Sequence, residues 1–179
     1  YGPDGHLQVE HRCRIVDRLL GNADRTLSLR EYEDIPELSV VLDDLRTLPF
    51  LAPHRVVVLR NAGGFVTKYR DKLEAYLDNP SACGSLVLQV GEWRSNTKLA
   101  KKVAAVGEAI KCKRPDGDAL VAWIKKRVAE AGKDIQGGAA SSLAATACDD
   151  LAGVAEEVEK LVCYVGERTR ISLDDVAVV

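Results

Sequence analysis

The chain has 179 residues, 46% of them apolar, with 25 basic and 27 acidic side chains and a net charge of -2. That is enough apolar content for a real core, in one domain or one domain plus a small appendage. The charge balance argues against a general nucleic-acid binder while leaving room for a local basic patch. No apolar run approaches the roughly 20 residues needed to span a bilayer, and no signal-peptide pattern opens the chain. Tyr1 stands where a Met would, which points to a trimmed N-terminus. Five cysteines, Cys13, Cys83, Cys112, Cys148 and Cys163, are odd in number, scattered and never in a C-x-x-C pair, the pattern of reduced cytosolic thiols. A zinc site drawn from His6, His11, Cys13 and a distant Cys matches no familiar ligand spacing.

Tyr1-Gly-Pro-Asp-Gly-His-Leu7 is a turn-rich opening that feeds a helix with Leu7, Ile15, Val16, Leu19 and Leu20 on one side. Gly21-Asn22 closes that helix, and the polar and apolar alternation from Thr26 to Leu29 predicts a half-buried strand. Asp34-Ile-Pro-Glu37 reads as a capping box with Pro in the first turn, ahead of a helix through Leu38, Val41, Leu42 and Leu45. That helix runs into Leu48-Pro-Phe-Leu51, where Pro49 and Pro53 make a stiff apolar elbow that must be tucked in or used for contact. Val56 to Leu59 follow as a short β-branched run, the signature of a parallel strand buried on both faces.

Val66, Tyr69, Leu73, Tyr76 and Leu77 line one face of a further helix that stops at Asn79-Pro80, and Leu86 to Val90 is the next strand. Asn96 is placed to cap a basic helix through Leu99, Val103 and Val106, which Gly107 ends. Ala109 to Cys112 supplies one more short strand. From Pro115 the pattern changes to helices: Leu120 to Val128, about Ala139 to Cys148, and Leu151 to Val165, with Ser172 capping a last one. The alternation predicts an α/β domain over residues 1–114, with a parallel sheet and helices on both faces. A small all-α lid covers residues 115–179. The polar, turn-rich junction Lys113 to Gly117 makes the lid a unit expected to move relative to the sheet domain.

An α/β domain followed by a helical lid is the layout of the AAA+ ATPases, yet the phosphate machinery is missing. A P-loop needs glycines that bring backbone N–H groups onto phosphates, a Lys, and a Ser or Thr for magnesium. Gly2-Pro-Asp-Gly-His-Leu7 lacks both side chains, and Asp4 would repel phosphate. The strand Val56 to Leu59 ends in Arg60-Asn61, where a hydrolase carries acidic residues. No G-K-[ST] triplet occurs anywhere, which disfavours an active nucleotidase.

In several stretches the chain resembles the delta subunit of the bacterial DNA polymerase III clamp loader. These are Tyr1-Gly-Pro-Asp4, Leu48-Pro-Phe-Leu51 with Arg55-Val-Val-Val58, Tyr76-Leu-Asp-Asn-Pro80, Leu86-Val-Leu88, Asn96 with Lys98-Leu-Ala-Lys101, Trp123-Ile124, and Asp150-Leu151 with Glu157 to Leu161. Members of that family begin with a strand before the Tyr-Gly-x-Asp turn and end in a helical collar domain, so the chain resembles a fragment holding the first two domains. The resemblance implies a AAA+-like fold with a degenerate nucleotide site, no cofactor and no catalysis. It further implies a cytoplasmic protein that grips the sliding clamp (the beta subunit), helps open it and assembles with other clamp-loader subunits. Such a protein meets DNA only within that complex and has no membrane role.

The resemblance places the gripping plug on Leu48, Pro49, Phe50 and Leu51. Other members carry a Leu-Phe pair there, whereas Pro49 precedes Phe50 in this chain. An aromatic and an aliphatic anchor on a proline-stiffened elbow lose little entropy on entering a pocket. The competing reading is a scaffolding domain with Phe50 packed under the sheet. Lys98, Lys101 and Lys102, with Lys68, Arg70 and Lys72 upstream, are candidate DNA-phosphate contacts, weighed against a solvated helix face. Trp93 and Trp123 read as packing residues, and Glu156, Glu157 and Glu159 as an exposed face.

Overall fold

The computed structural model describes residues 1–47, 52, 54–146 and 150–178. The chain divides into two units, Tyr1–Lys113 and Arg114–Val179.

The first unit contains α1 (Gly5–Leu20), α2 (Arg25–Ser28), β1 (Leu29–Tyr32), α3 (Leu38–Arg46), β2 (Arg55–Leu59), α4 (Gly63–Tyr76), β3 (Gly84–Leu88) and α5 (Lys98–Val106). The sheet order is β1-β2-β3, and both pairings are parallel. The β-branched run Val56 to Leu59 lies at its centre, with Val57 opposite Arg30 on one side and Leu86 on the other. Because successive side chains of a strand point to opposite faces, β2 feeds two cores. Val56 and Val58 pack with Val16 and Leu20 of α1. Val57 and Leu59 pack with Leu38, Val41 and Leu45 of α3, Phe65 and Leu73 of α4, and Leu99 of α5. This explains why β2 is apolar at every interior position rather than alternating.

Four local expectations are corrected. Thr26 to Leu29 is not a strand: Asp24 caps the short helix α2 by accepting from the Thr26 N–H at 2.8 Å, and pairing begins only at Leu29. Glu37 stands at the N-cap of α3 but makes no capping bond; its carboxylate is drawn away to the Tyr69 hydroxyl (2.5 Å) and to Lys68 Nζ (3.1 Å). The cap of α5 is Thr97, not Asn96, with its hydroxyl accepting from the Ala100 N–H. Ala109 to Cys112 is not a strand of the sheet, although its backbone is bonded to Tyr1: the Tyr1 amine donates to Ile110 O and Cys112 N donates to Tyr1 O. Between this segment and the far edge of β3 lies a cavity of about 470 Å³, bordered by Ile15 and Leu19 on one face and Leu73, Leu99 and Val103 on the other.

The second unit comprises α6 (Gly117–Glu130), β4 (Asp134–Ile135), α7 (Gly137–Thr146), α8 (Leu151–Tyr164), β5 (Arg170–Ile171) and α9 (Leu173–Val178). Leu120, Ile124 and Val128 of α6, Leu143 of α7, and Leu151, Val158 and Leu161 of α8 are buried at helical spacing. The parallel pair β4 and β5 escaped the sequence reading, because two residues are too few to show a period of two.

Ser172 does cap the last helix. Its backbone N–H and hydroxyl both donate to Asp175 Oδ2 at 2.8 Å, and its hydroxyl accepts from the Asp175 N–H, the reciprocal arrangement of a capping box. The Ser172 backbone N–H, then the Arg168 guanidinium, pull the Asp175 carboxyl down from its ordinary 3.8 to about 2. A lowered folded-state pKa stabilises above the unfolded value and loses that stabilisation as pH falls through the folded one. Asp175→Asn is therefore expected to melt earlier than the parent at neutral pH, with the gap closing between about pH 4 and pH 2. Thermal melts across that range check it, and a gap that stays constant down to pH 2 would refute the role given to the carboxylate.

Candidate functional site

Two places in the first unit bear on function: the C-terminal end of the sheet, where α/β proteins hold ligands, and the connection from α3 to β2. At the sheet end, Gly2 has φ of 136°, and a Cβ there would lie 2.2 Å from Cys112 O, so only glycine fits the turn. Gly2 N donates to Val90 O at 3.0 Å, and Gln8 Nε2 donates to Gly2 O at 2.6 Å. Asp4 then caps α1, its carboxylate accepting from the Leu7 N–H at 2.8 Å. A helix N-terminus that could take a phosphate is thus already met by a carboxylate of the same chain.

The residues after β2 are equally committed. Arg60 donates to Glu31 (2.9 Å) and Glu33 (2.6 Å), while Arg12 reaches Glu31 (3.8 Å) and Gln89 (3.4 Å). Asn61 has φ of 50°, a left-handed conformation that asparagine tolerates, and so turns the chain from β2 into α4. Among the described residues no group of three or more His, Cys, Asp or Glu side chains is placed to hold a metal ion.

The Leu48, Pro49, Phe50 and Leu51 elbow falls outside the described residues, as does Pro53. Its two stems are described. On the α3 side, Leu45 is fully buried, and its carbonyl accepts from Ser81 Oγ at 2.7 Å. A Cβ on Gly84 would sit 2.3 Å from that same carbonyl, so β3 starts with glycine because α3 ends against it. On the β2 side, Arg55 N donates to Cys83 O, and His54 Nε2 pairs with Ser85 Oγ at 2.9 Å.

Across the stems, Asp44 accepts from the Tyr32 hydroxyl (2.6 Å) and from Arg55 (3.4 Å), whose other terminal nitrogen donates to Leu27 O. Burial first, and the Asp44 carboxylate second, push the Tyr32 phenol up to about 12. Tyr32 and Asp44 had no reading in the sequence, because their meeting depends on β1 and α3 lying beside β2. Arg55 was legible only as the residue opening the Val56 run.

The three lysines of α5 are not equivalent. Lys102 donates to Glu74 O (2.7 Å) and to Asp78 (2.5 Å), and Lys98 lies 3.5 Å from the Glu74 carboxylate, so both are tied to α4 and its C-terminal end. Lys101 is exposed and makes no such pair among the described residues. Upstream, Lys68 is paired with Glu37. Trp93 packs against the larger core, as expected.

A three-stranded parallel sheet between helices, followed by a separate and mainly helical unit, has the arrangement of a AAA+-like fold. Comparison with known proteins agrees. The fold matches that of the Bacillus subtilis DNA clamp loader delta protein, with a TM-score of 0.82, 22% identity, and coverage of 100% of this chain and 56% of that one. It also resembles a RuvB variant of Thermotoga maritima, at a TM-score of 0.50 and 13% identity, covering 98% of this chain and 58% of that one. In sequence, residues 1–113 match the family "DNA polymerase III, delta subunit". The Bacillus subtilis (strain 168) DNA polymerase III subunit delta is 28% identical over 192 residues, covering 98% of this chain and 54% of the relative. The chain belongs to the DNA polymerase III delta subunit family, and it spans about half the length of the curated relative it matches. Among the described residues no helix is long and apolar enough to cross a membrane.

Proposed function

We propose that this chain is the clamp-gripping part of a clamp-loader delta subunit. It binds the ring-shaped sliding clamp through Leu48, Pro49, Phe50 and Leu51 and helps to open it for loading onto DNA, in company with other loader subunits. Membership of the delta family carries the reading. The two ordered stems support it, since an apolar segment on a fixed base loses less freedom on entering a pocket. The unit 1–114 carries the contact, and the helices of 115–179 serve as its lid. Titrating the chain against sliding clamp in a biosensor tests the reading; no association at tens of micromolar would overturn it.

The same chain works without hydrolysing ATP. Asp4 on the α1 N-terminus and the Arg60 pairs with Glu31 and Glu33 support this, because a nucleotide would have to displace one carboxylate and would meet two more. No saturable binding of a magnesium nucleotide is expected at micromolar concentration. Calorimetry that found such binding, lost on changing Asp4 or His6, would refute it.

Of the candidate phosphate contacts Lys98, Lys101 and Lys102, Lys101 is the one without an ion-pair partner among the described residues. Within an assembled loader, Lys101→Ala is expected to lower the slope of log affinity for DNA against log salt by about 1. An unchanged slope assigns α5 to solvent.

A further inference from the structure

The two stems that flank the α3 to β2 connection are joined by more than a surface loop needs. Asp44 lies four residues before Leu48 and Arg55 four residues after Leu51, so the ion pair between them joins the two stems directly. Tyr32 of β1 adds the third member by donating to the free oxygen of the same carboxylate. The side chains of Arg55 and Asp44 are only 13% and 18% exposed. Among the described residues the Arg55 Nε–H is buried without an acceptor.

A largely buried pair of this kind is a poor way to gain stability. Removing two charges from water costs several kcal/mol, and apolar replacements of similar volume are often neutral or stabilising. An unmet buried N–H adds a further cost. What the pair supplies is direction: two hydrogen bonds from different strands onto one carboxylate fix both the distance and the rotation of the last turn of α3 against the start of β2. The Ser81 bond to Leu45 O and the close approach of Gly84 hold the same turn from the start of β3 and the residues just before it.

We propose that Tyr32, Asp44 and Arg55 are positioning residues, which set the spacing and angle of the two stems and so the geometry in which the intervening apolar residues meet the sliding clamp. This rests on the clamp reading above. None of the three touches the clamp. They act by removing freedom that binding would otherwise have to remove.

The test is the double variant Asp44→Leu with Arg55→Met in the full chain, beside Phe50→Ala and the milder Tyr32→Phe, each measured for melting temperature and for clamp affinity. The double variant is expected to melt at or above the parent temperature and yet bind clamp about tenfold more weakly, the size of freeing one or two side chains or a short stem. Tyr32→Phe, which deletes one hydroxyl and folds in any case, is expected to lose about threefold, half of that effect on a logarithmic scale. Folded variants that bind clamp as the parent does, while Phe50→Ala does not, would overturn the positioning role and leave the clamp reading standing. Parent protein that fails to bind clamp, or Phe50→Ala that binds normally, would overturn the clamp reading and the positioning role with it. Affinity that falls only in proportion to the folded fraction would show a purely structural role and also overturn the proposal.

Discussion

Phe50→Ala is expected to weaken clamp binding by about 30-fold to nearly 1,000-fold while leaving the melting temperature in place. A central aromatic anchor is worth roughly 2 to 4 kcal/mol on truncation, and each 1.4 kcal/mol is a factor of ten in affinity. The family resemblance, rather than the residues alone, favours an anchor over a core residue. Pro49 and Pro53 bar the segment from a ladder and stiffen it as an elbow. Were Phe50 part of that core, the same substitution would cost about 3 to 5 kcal/mol of stability. Binding by biosensor and melting by calorimetry separate the two outcomes. A variant that melts much earlier but, while folded, binds clamp normally would move the working surface elsewhere.

The second large effect belongs to the chain's other phenylalanine. Phe65 is fully enclosed in the first turn of α4, edge-on to Tyr69 with ring centroids 5.0 Å apart, and packed in the cluster that holds α3 and α5 against β2. Phe65→Ala removes the largest fully buried side chain among the described residues. It should destabilise the first unit by about 3 to 5 kcal/mol, the upper end applying if the cluster does not collapse into the gap. Denaturant unfolding measures this directly. A loss under about 1 kcal/mol would mean that the cluster is loosely packed. The two phenylalanines thus make a matched pair, in which one substitution is read in affinity and the other in stability.

The parallel α/β architecture was legible because its signals are long or redundant. Val56 to Leu59 can hardly be anything but a strand buried on both faces, and Val66, Tyr69 and Leu73 repeat over about two turns of α4. Competing hydrogen-bond partners, near and far in sequence, defeated the finer reading. Thr26 to Leu29 alternates as a strand should, yet one Asp24 carboxylate is enough to wind it into a turn of helix. Glu37 has the sequence context of a cap but finds better partners in Tyr69 and Lys68, residues about 30 positions away that no local rule brings near.

The candidate site divides in the same way. The expectation of a degenerate nucleotide site could be drawn from Asp4 and Arg60, because a phosphate cradle is a motif of fixed spacing. The brace at Asp44 could not, because it is assembled from β1, α3 and β2 only after the sheet has formed.

The self-capped end of α1 also bears on how this protein is held together across changing conditions. A domain whose helix terminus is completed by a bound ligand gains RT ln(1 + [L]/Kd) of stability, and so rises and falls with the ligand's concentration. Here the complement is Asp4, covalently attached and present at constant stoichiometry. The capping of α1 is therefore supplied by the chain itself. Under the proposed function it does not vary with nucleotide concentration, which suits such a part to serve as a fixed reference against which other components move.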